Sequence, residues 1–257
     1  MSSQVFSLVI RCLAAGLLTH MTMGLALAAD EGAAKDFKLT LGHYRLADGA
    51  GAVVDGLDIN LRWRHEGRSL WLGLYRDGEQ GRQVRAGWDD QWSLATLGSA
   101  PGVELALLPS LQVASGGFVG GSLALQMGSP WYVQLGLGRT NLRPYANLNF
   151  DPNDALTLAL GWAGEHGRSL QISAIVDDRL HTGQQHHHVT LRWPLPASLR
   201  LSADVLHKQG RGDDGPVRAW GWTLGLDAAD WFARLAHDPK QNFSALNAWR
   251  MSGGLRF

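Results

Sequence analysis

Cysteine is almost absent from this sequence. The one cysteine, Cys12, lies among the first 28 residues, so the rest of the chain has no thiol chemistry and no disulfide. A chain without disulfides must take its stability from burial and backbone pairing. The formal net charge is zero at pH 7. Since there is neither a basic bias nor an acidic run, no nucleic-acid partner is expected.

The first 28 residues have the pattern of a secretory signal. Arg11 precedes an apolar stretch from Cys12 to Leu25, and residues 26–28, Ala-Leu-Ala, supply small side chains for cleavage. Polar residues interrupt that stretch, which is short for a membrane helix. We therefore expect an exported protein with a signal peptide at residues 1–28 and a periplasmic lead at residues 29–36. An uncleaved anchor is the alternative.

Long apolar runs are also lacking after the signal. Mean hydropathy is −0.11 although 45% of residues are hydrophobic, which excludes disorder and looks too polar for a bundle of membrane helices. A β-barrel removes this conflict, because only alternate residues of each strand face lipid. The 32 glycines suit tight turns and curved strands better than helices.

What the sequence does contain is two-residue alternation, clearest in residues 249–257. Trp249, Met251, Gly253, Leu255 and Phe257 share one face, and four mostly polar residues take the other. A strand needs this pattern when one face meets an apolar medium and the other meets water. The stretch resembles the closing strand of bacterial outer-membrane β-barrels, which ends in phenylalanine.

That resemblance extends over residues 37–257 at the level of the class, without a narrower family. It implies an integral protein of the Gram-negative outer membrane, surrounded by outer-membrane lipid and lipopolysaccharide. It also implies that the barrel-assembly machinery recognises the C-terminal strand. The alternation itself predicts an all-β fold, a single antiparallel transmembrane β-barrel of about fourteen strands, with roughly twelve to sixteen possible.

Two places interrupt the pattern. Asp90 falls on an otherwise apolar face, so a bulge or strand boundary is expected there. Residues 141–154 are compatible with a long loop or with an extra strand and turn. Longer polar connections are predicted at residues 48–55, 177–185, 208–216 and 238–247, alternating with short turns, as in outer-membrane barrels.

Nine tryptophans have the phase of the apolar face and are expected near strand ends. Indole rings favour the membrane–water interface, because they bury an apolar body and keep an N–H donor wet. With both termini periplasmic, six fall at the periplasmic end and three at the opposite end. The expected interface aromatics are Trp63, Trp92, Trp131, Trp162, Trp193, Trp231, then Trp220, Trp222, Trp249, and the terminal Phe257.

The opposite face carries more basic than acidic residues. The pore-lining candidates are Arg62, Arg64, Arg85, Arg192, Arg200, Arg234, Arg250 and Arg256, with Asp58, Asp89 and Asp204. Lys38 and Glu104 have the same phase. A charged lumen in a low-dielectric wall sets ion preference, so one hypothesis is a pore that favours anions. The other is that the arginines pair with these aspartates and fill a closed lumen. The small inner residues Gly136, Gly161 and Gly225 leave either an open bore or room for an inward-folded loop.

Two clusters suggest metal binding without requiring it. His186 and His188 share a face and His181 is near, a set that can bind zinc or copper, although such polar segments are more often solvated loops. Asn149, Asp151, Asn153 and Asp154 offer oxygens at short spacing, for which Asx turns are the simpler interpretation. No metal site and no cofactor are expected.

Three functions stay open at this point. The first is an outer-membrane porin-like channel for small polar, possibly anionic, solutes, which needs no catalytic residue. The second is a lipid- or lipopolysaccharide-modifying enzyme of the outer membrane, for which a Ser and a His should meet on the outer wall. No Gly-x-Ser-x-Gly motif occurs. The third is a non-conducting structural or export-linked barrel.

Overall fold

A computed structural model describes residues 35–78, 81–97, 103–138, 155–177, 181–212 and 214–257. The signal peptide and most of the lead predicted at residues 1–36, and the uncertain stretch 141–154, lie outside these residues. The strands are β1 (Phe37–Ala47), β2 (Val53–His65), β3 (Arg68–Asp77), β4 (Arg82–Asp89), β5 (Trp92–Leu97), β6 (Val103–Ala114), β7 (Phe118–Met127), β8 (Trp131–Gly138), β9 (Ala155–Ala163), β10 (Ser169–Asp177), β11 (Gln184–Leu195), β12 (Leu199–Gly212), β13 (Gly215–Asp227), β14 (Trp231–Asp238) and β15 (Asn247–Arg256). Two 3₁₀ turns, Glu165–Gly167 and Gln241–Phe243, complete the described secondary structure. No helix among the described residues is long and apolar enough to cross a membrane.

The strands form one closed antiparallel sheet. Apart from β4 and β5, each pairs with its neighbours in sequence, β1 also pairs with β15, and β4 and β5 both pair with β6. Because β4 and β5 lie end to end beside β6, they act as two halves of one barrel strand. The result is a closed barrel of 14 strands, and the predicted fold is confirmed.

The break between β4 and β5 falls at Asp90, where the sequence predicts it. On the partner strand, Pro109 stands at the same level and has no N–H to donate, while its carbonyl oxygen accepts from Asp90 N–H at 3.1 Å. The Asp90 side chain is buried and accepts a hydrogen bond from Arg68 Nε at 3.0 Å. A proline and a buried carboxylate thus explain why the ladder changes here.

The barrel is sealed by β15 against β1. Their register runs from Lys38 opposite Arg256 to Ala47 opposite Asn247. Phe37 and Phe257 exchange two backbone hydrogen bonds of 3.0 Å, and their rings stack at 5.7 Å. The closing strand has the predicted faces, since Trp249, Met251, Leu255 and Phe257 are exposed on the outside.

The wall is apolar outside and polar inside. The exposed side chains include long rows of leucine, for example Leu156, Leu158 and Leu160, each more than half exposed. The buried inward residues are largely polar: Asp58, Gln134, Thr157, Ser173, His188, Asp204, Lys208, Thr223, Arg250 and Ser252. A soluble β-sandwich has the reverse distribution.

We call the end of the barrel that holds Phe37 and Phe257 the base, and the opposite end the rim. Short turns such as residues 66–67 and 228–230 lie at the base, and the loops 48–52 and 239–246 lie at the rim. The prediction of a long loop at residues 208–216 is wrong. β12 and β13 continue as a hairpin there, with Gln209 opposite Arg218 and Gly212 opposite Gly215. The alternation is hidden because both faces are polar at this level.

Several inward aromatic rings lie flat against glycines of the next strand. Trp71 stands opposite Gly87 and Tyr132 opposite Gly161, and a Cβ at either glycine would overlap the facing ring. The small inner residues therefore make room for aromatic rings that lie along the wall. Neither of the two roles predicted for them, an open bore or room for an inward loop, includes this one.

Candidate functional site

The inner wall is the candidate site, and its rim half contains a network centred on Asp58. The Asp58 carboxylate accepts from Arg85 at 2.8 Å and from Arg250 at 3.3 Å. The Arg250 guanidinium lies 4.6 Å above the ring of Tyr44, which meets Tyr75 edge-on at 5.6 Å. Two arginines thus share one buried carboxylate, and this side of the rim half is densely filled.

A second rim-half group joins the loop 239–246 to the wall. Lys208 is fully buried, forms an ion pair with Asp238, and donates to the carbonyl oxygen of Lys240 at 3.2 Å. The next residues turn inward, because Lys240, Asn242 and Phe243 all have left-handed φ values between 49° and 61°. This loop therefore folds into the barrel instead of projecting from it.

Phe243 forms the tip of that inward loop. Its ring is 2% exposed, lies 5.4 Å from the ring of His186, and packs with Ala155 and Ile175 from the far wall. The backbone of Phe243 approaches β12 so closely that a Cβ at Gly212 would overlap its carbonyl oxygen. The loop narrows the lumen near the rim.

The third rim-half group links two neighbouring strands, β11 and β12. His188 Nδ1 lies 3.0 Å from an Asp204 carboxylate oxygen, and Thr190 Oγ1 donates to the same carboxylate at 2.7 Å. His186 and His188 are buried, with ring centroids 5.9 Å apart. Asp204 therefore bonds a histidine and a threonine, whereas Asp58 bonds arginines.

The base half is strongly basic. Its inward strand residues include seven basic side chains, namely Lys38, Arg62, Arg64, Arg192, Arg200, Arg234 and Arg256, and three acidic ones, namely Asp89, Glu104 and Asp227. Arg62 lies 3.8 Å from Asp89, while Arg234 at 3.8 Å and Arg256 both pair with Asp227. Because the two carboxylates of Asp89 and Asp227 pair with three arginines, positive charge remains in excess in the base half.

Phe232 lies at the centre of this basic region. Lys38 Nζ stands 4.0 Å from its ring centroid, and the guanidinium carbons of Arg234 and Arg256 stand 5.1 and 5.3 Å away. A ring face attracts cations through its quadrupole. One buried ring and one carboxylate, Asp227, therefore hold three cations together at the base.

Solved outer-membrane proteins superpose on this chain to differing degrees. Omp33 of Acinetobacter baumannii superposes with a TM-score of 0.52 over 88% of this chain and 100% of that one, at 9% identity. The NanC porin and the Salmonella typhi OmpF complex with daunomycin give TM-scores of 0.44 and 0.42, at 7% and 9% identity. They cover 85% and 89% of this chain, and 100% and 99% of their own.

This chain has the fold of an outer-membrane porin-like barrel. No protein-family model and no curated protein matches its sequence. At 9% identity the likeness to Omp33 concerns the fold alone, so the chemistry of this porin-like barrel has to come from its own inner wall.

The structure places all eleven pore-lining candidates on the inward phase of their strands. Arg85, Arg250 and Asp58 meet in one network, and Arg62 meets Asp89. Arg64 and Arg192 are exposed, Arg200 is half-buried, and Asp204 bonds no arginine among the contacts described above. Arg234 and Arg256 pair with Asp227, so the inner wall is partly paired in both halves.

Sequence reasoning missed Lys208, Asp227, Asp238 and Phe243. It placed the two aspartates and Lys208 at the starts of connections, whereas they are the last inward residues of strands or lie within one. If each predicted strand had been extended past the end of its apolar run to the next inward position, Lys208, Asp227 and Asp238 would have been included among the inner residues. Nothing in the sequence signals that Phe243 turns inward.

The histidine segment is a strand and not a solvated loop. His186 and His188 point inward from β11, and His187 points outward beside His207. His181 lies outside β11 in an exposed bend. Within the described ranges, no group of three or more His, Cys, Asp or Glu side chains is arranged to hold a metal ion.

The tryptophans predicted at the membrane interface lie on the outer wall of this barrel. Trp63, Trp131, Trp162, Trp193 and Trp231 stand within two residues of the base end of their strands. Trp220, Trp222 and Trp249 lie in the rim half. Trp92 lies farther from the base than expected, because β5 continues beyond it toward the base as far as Leu97.

Proposed function

We propose that this chain is an outer-membrane channel for small polar solutes and that its base half favours anions. The observation that carries the proposal is the excess of seven basic over three acidic inward strand residues in the base half. A low-dielectric wall focuses the field of such a group into the lumen, which raises the local concentration of anions.

The polar inner wall supports a water-filled lumen. Thr157 Oγ1, Gln171 Nε2 and Ser173 Oγ are buried on β9 and β10, and the described residues provide no hydrogen-bond partner for these atoms. Buried polar groups of folded proteins are normally bonded by protein or water. Water in the lumen meets this requirement and provides a path for hydrated solutes.

The orientation of the barrel follows from its connections. In outer-membrane barrels short turns face the periplasm and longer loops face outward. We therefore assign the base, with Phe257 at 60% exposure, to the periplasmic side. The exported chain would reach the barrel-assembly machinery with this terminal strand, and outer-membrane lipid would surround the apolar wall.

Solute flux into liposomes tests the channel. The purified chain, reconstituted in phosphatidylcholine liposomes, is compared for swelling in glucose, gluconate and glucosamine, which have similar size and different charge. We expect all three to enter, with gluconate faster than glucosamine. Faster glucosamine entry would contradict the anion preference.

A non-conducting barrel is the second candidate, and the inward loop with Phe243 favours it. Absence of swelling in all three sugars would support that alternative over the channel. An enzyme remains distinguishable by its product. Release of fatty acid from phospholipid or lipid A in detergent, without swelling, would replace the channel with the enzyme.

A further inference from the structure

The outer wall changes character near the rim. Below this level it carries leucine, isoleucine and valine, but on β11–β15, β1, β3 and β4 the outward positions near the rim include basic or aromatic side chains, whereas β2 carries Val53 and Asp55 there. We call this set the rim belt. Its members are Arg45, Arg76, Arg82, Arg211 and Arg218, with His43, His187, His207 and His237, and Trp220, Trp222 and Trp249.

The rim belt is continuous across β11, β12 and β13. His187, His207 and Trp220 form one cross-strand row, with ring centroids 6.1 and 4.6 Å apart. Arg218 Nε reaches His207 Nε2 at 3.4 Å. These side chains therefore contact one another as a surface and do not project singly.

The row nearer the strand that closes the barrel has the same composition. His237 lies between Trp222 and Trp249, with centroid distances of 6.3 and 4.4 Å. Trp249 stands opposite Arg45 of β1 in the ladder. The rim belt thus passes over the β1–β15 junction without interruption.

Acidic residues hardly balance this charge. Among the described strand residues with outward phase near the rim, Asp55 is the one carboxylate, and it pairs with His43 at 3.2 Å. Arg76 and Arg82 stand directly opposite each other in the β3–β4 ladder, and both are exposed. Like charges in this position destabilise a sheet, unless an anion lies between them.

The belt covers one side of the barrel. On β6–β10 the outward positions near the rim are apolar, namely Val113, Val119, Leu137, Leu156 and Val176. If the charged residues at the rim served only solubility, they would be expected on all strands around the barrel. A one-sided basic surface instead indicates a particular anionic partner.

We propose that the rim belt binds a phosphorylated lipid of the leaflet that surrounds the rim. Arginine forks match phosphate oxygens, often with two parallel hydrogen bonds. The belt lies where the apolar wall ends, so headgroup phosphates would reach Arg76, Arg82 and Arg218 while acyl chains lie along the leucine rows below. Histidines and tryptophans complete the surface at headgroup depth.

The inference rests on the proposed membrane placement and not on conduction. The test uses the full chain in detergent, titrated with bis-phosphorylated lipid A and with the same lipid lacking its phosphates. Binding is measured by quenching of tryptophan fluorescence and by native mass spectrometry. We expect the phosphorylated lipid to bind, and the lipid without phosphates or inorganic phosphate alone to bind at least tenfold more weakly, about the effect of losing one charged hydrogen bond.

The matched variants are Arg76→Gln, Arg82→Gln and Arg218→Gln combined, and Arg168→Gln as control. Arg168 is also outward and lies 4.9 Å from the ring of Trp193, but at the base. The triple variant should lose roughly tenfold or more in affinity, and the control should not change. Equal affinity of the triple variant, in a protein with unchanged circular dichroism, would overturn the proposal. Loss of swelling activity with intact lipid binding would overturn the channel and leave this inference standing.

Discussion

Lys208 and Asp238 form an ion pair inside the barrel, where Lys208 is 0% and Asp238 3% exposed. The pair holds the start of the loop 239–246 against β12, since Lys208 also donates to the Lys240 carbonyl. Removing one charge leaves the other buried without a counterion, which typically destabilises by about 3–5 kcal/mol.

The first prediction concerns this pair. Lys208→Met should lower the free energy of unfolding by about that amount, measured by urea titration of the protein refolded in detergent. The double variant Lys208→Met, Asp238→Leu should recover most of the loss, because no buried charge remains. A single variant as stable as the wild type would show that water already solvates this site.

The second prediction concerns the loop tip. Phe243→Ala removes a ring that packs against His186, Ala155 and Ile175 inside the barrel, so single-channel conductance in a planar bilayer should rise. Val119→Ala is the control, because Val119 is 67% exposed on the outer wall and should leave conductance unchanged. If Phe243→Ala and the control behave alike, the loop does not narrow the path.

The third prediction concerns the rings on the wall. Gly161→Ala should destabilise the barrel by about 1–3 kcal/mol, because the new methyl group overlaps the ring of Tyr132. Combining it with Tyr132→Leu should reduce the cost, since the ring is gone. Gly49→Ala, where a Cβ would meet nothing within 4 Å, is the control. Unfolding in urea measures all three, and additive effects of the two changes would contradict the close approach.

The sequence predicts the wall of this barrel well, because each strand has an apolar outer face and a polar inner face. Its side chains must therefore alternate between apolar and polar. Leu57, Ile59 and Leu61 must face outward if Asp58 faces inward, and the structure agrees. The break at Asp90 was predictable for the same reason, since a carboxylate on the apolar face interrupts the rule.

The rule fails where both faces are polar. Near the rim, His187 and Arg218 face outward while His188 and Lys208 face inward, so alternation of polarity disappears and strands resemble loops. Ion pairs across strands depend on register, which a single sequence does not contain. Phe243 is set by a left-handed backbone in a loop, and no periodicity encodes that.

The ion selectivity of the open channel tests the central claim most directly. In a planar bilayer with a salt gradient, the zero-current potential of the wild type should have the sign of anion preference. Charge reversal at the base, Arg62→Glu with Arg64→Glu, should move it toward cation preference, whereas Arg168→Glu on the outer wall should not. A cation-selective wild type, or a potential unchanged by the double reversal, would contradict the proposed role of the basic inner wall.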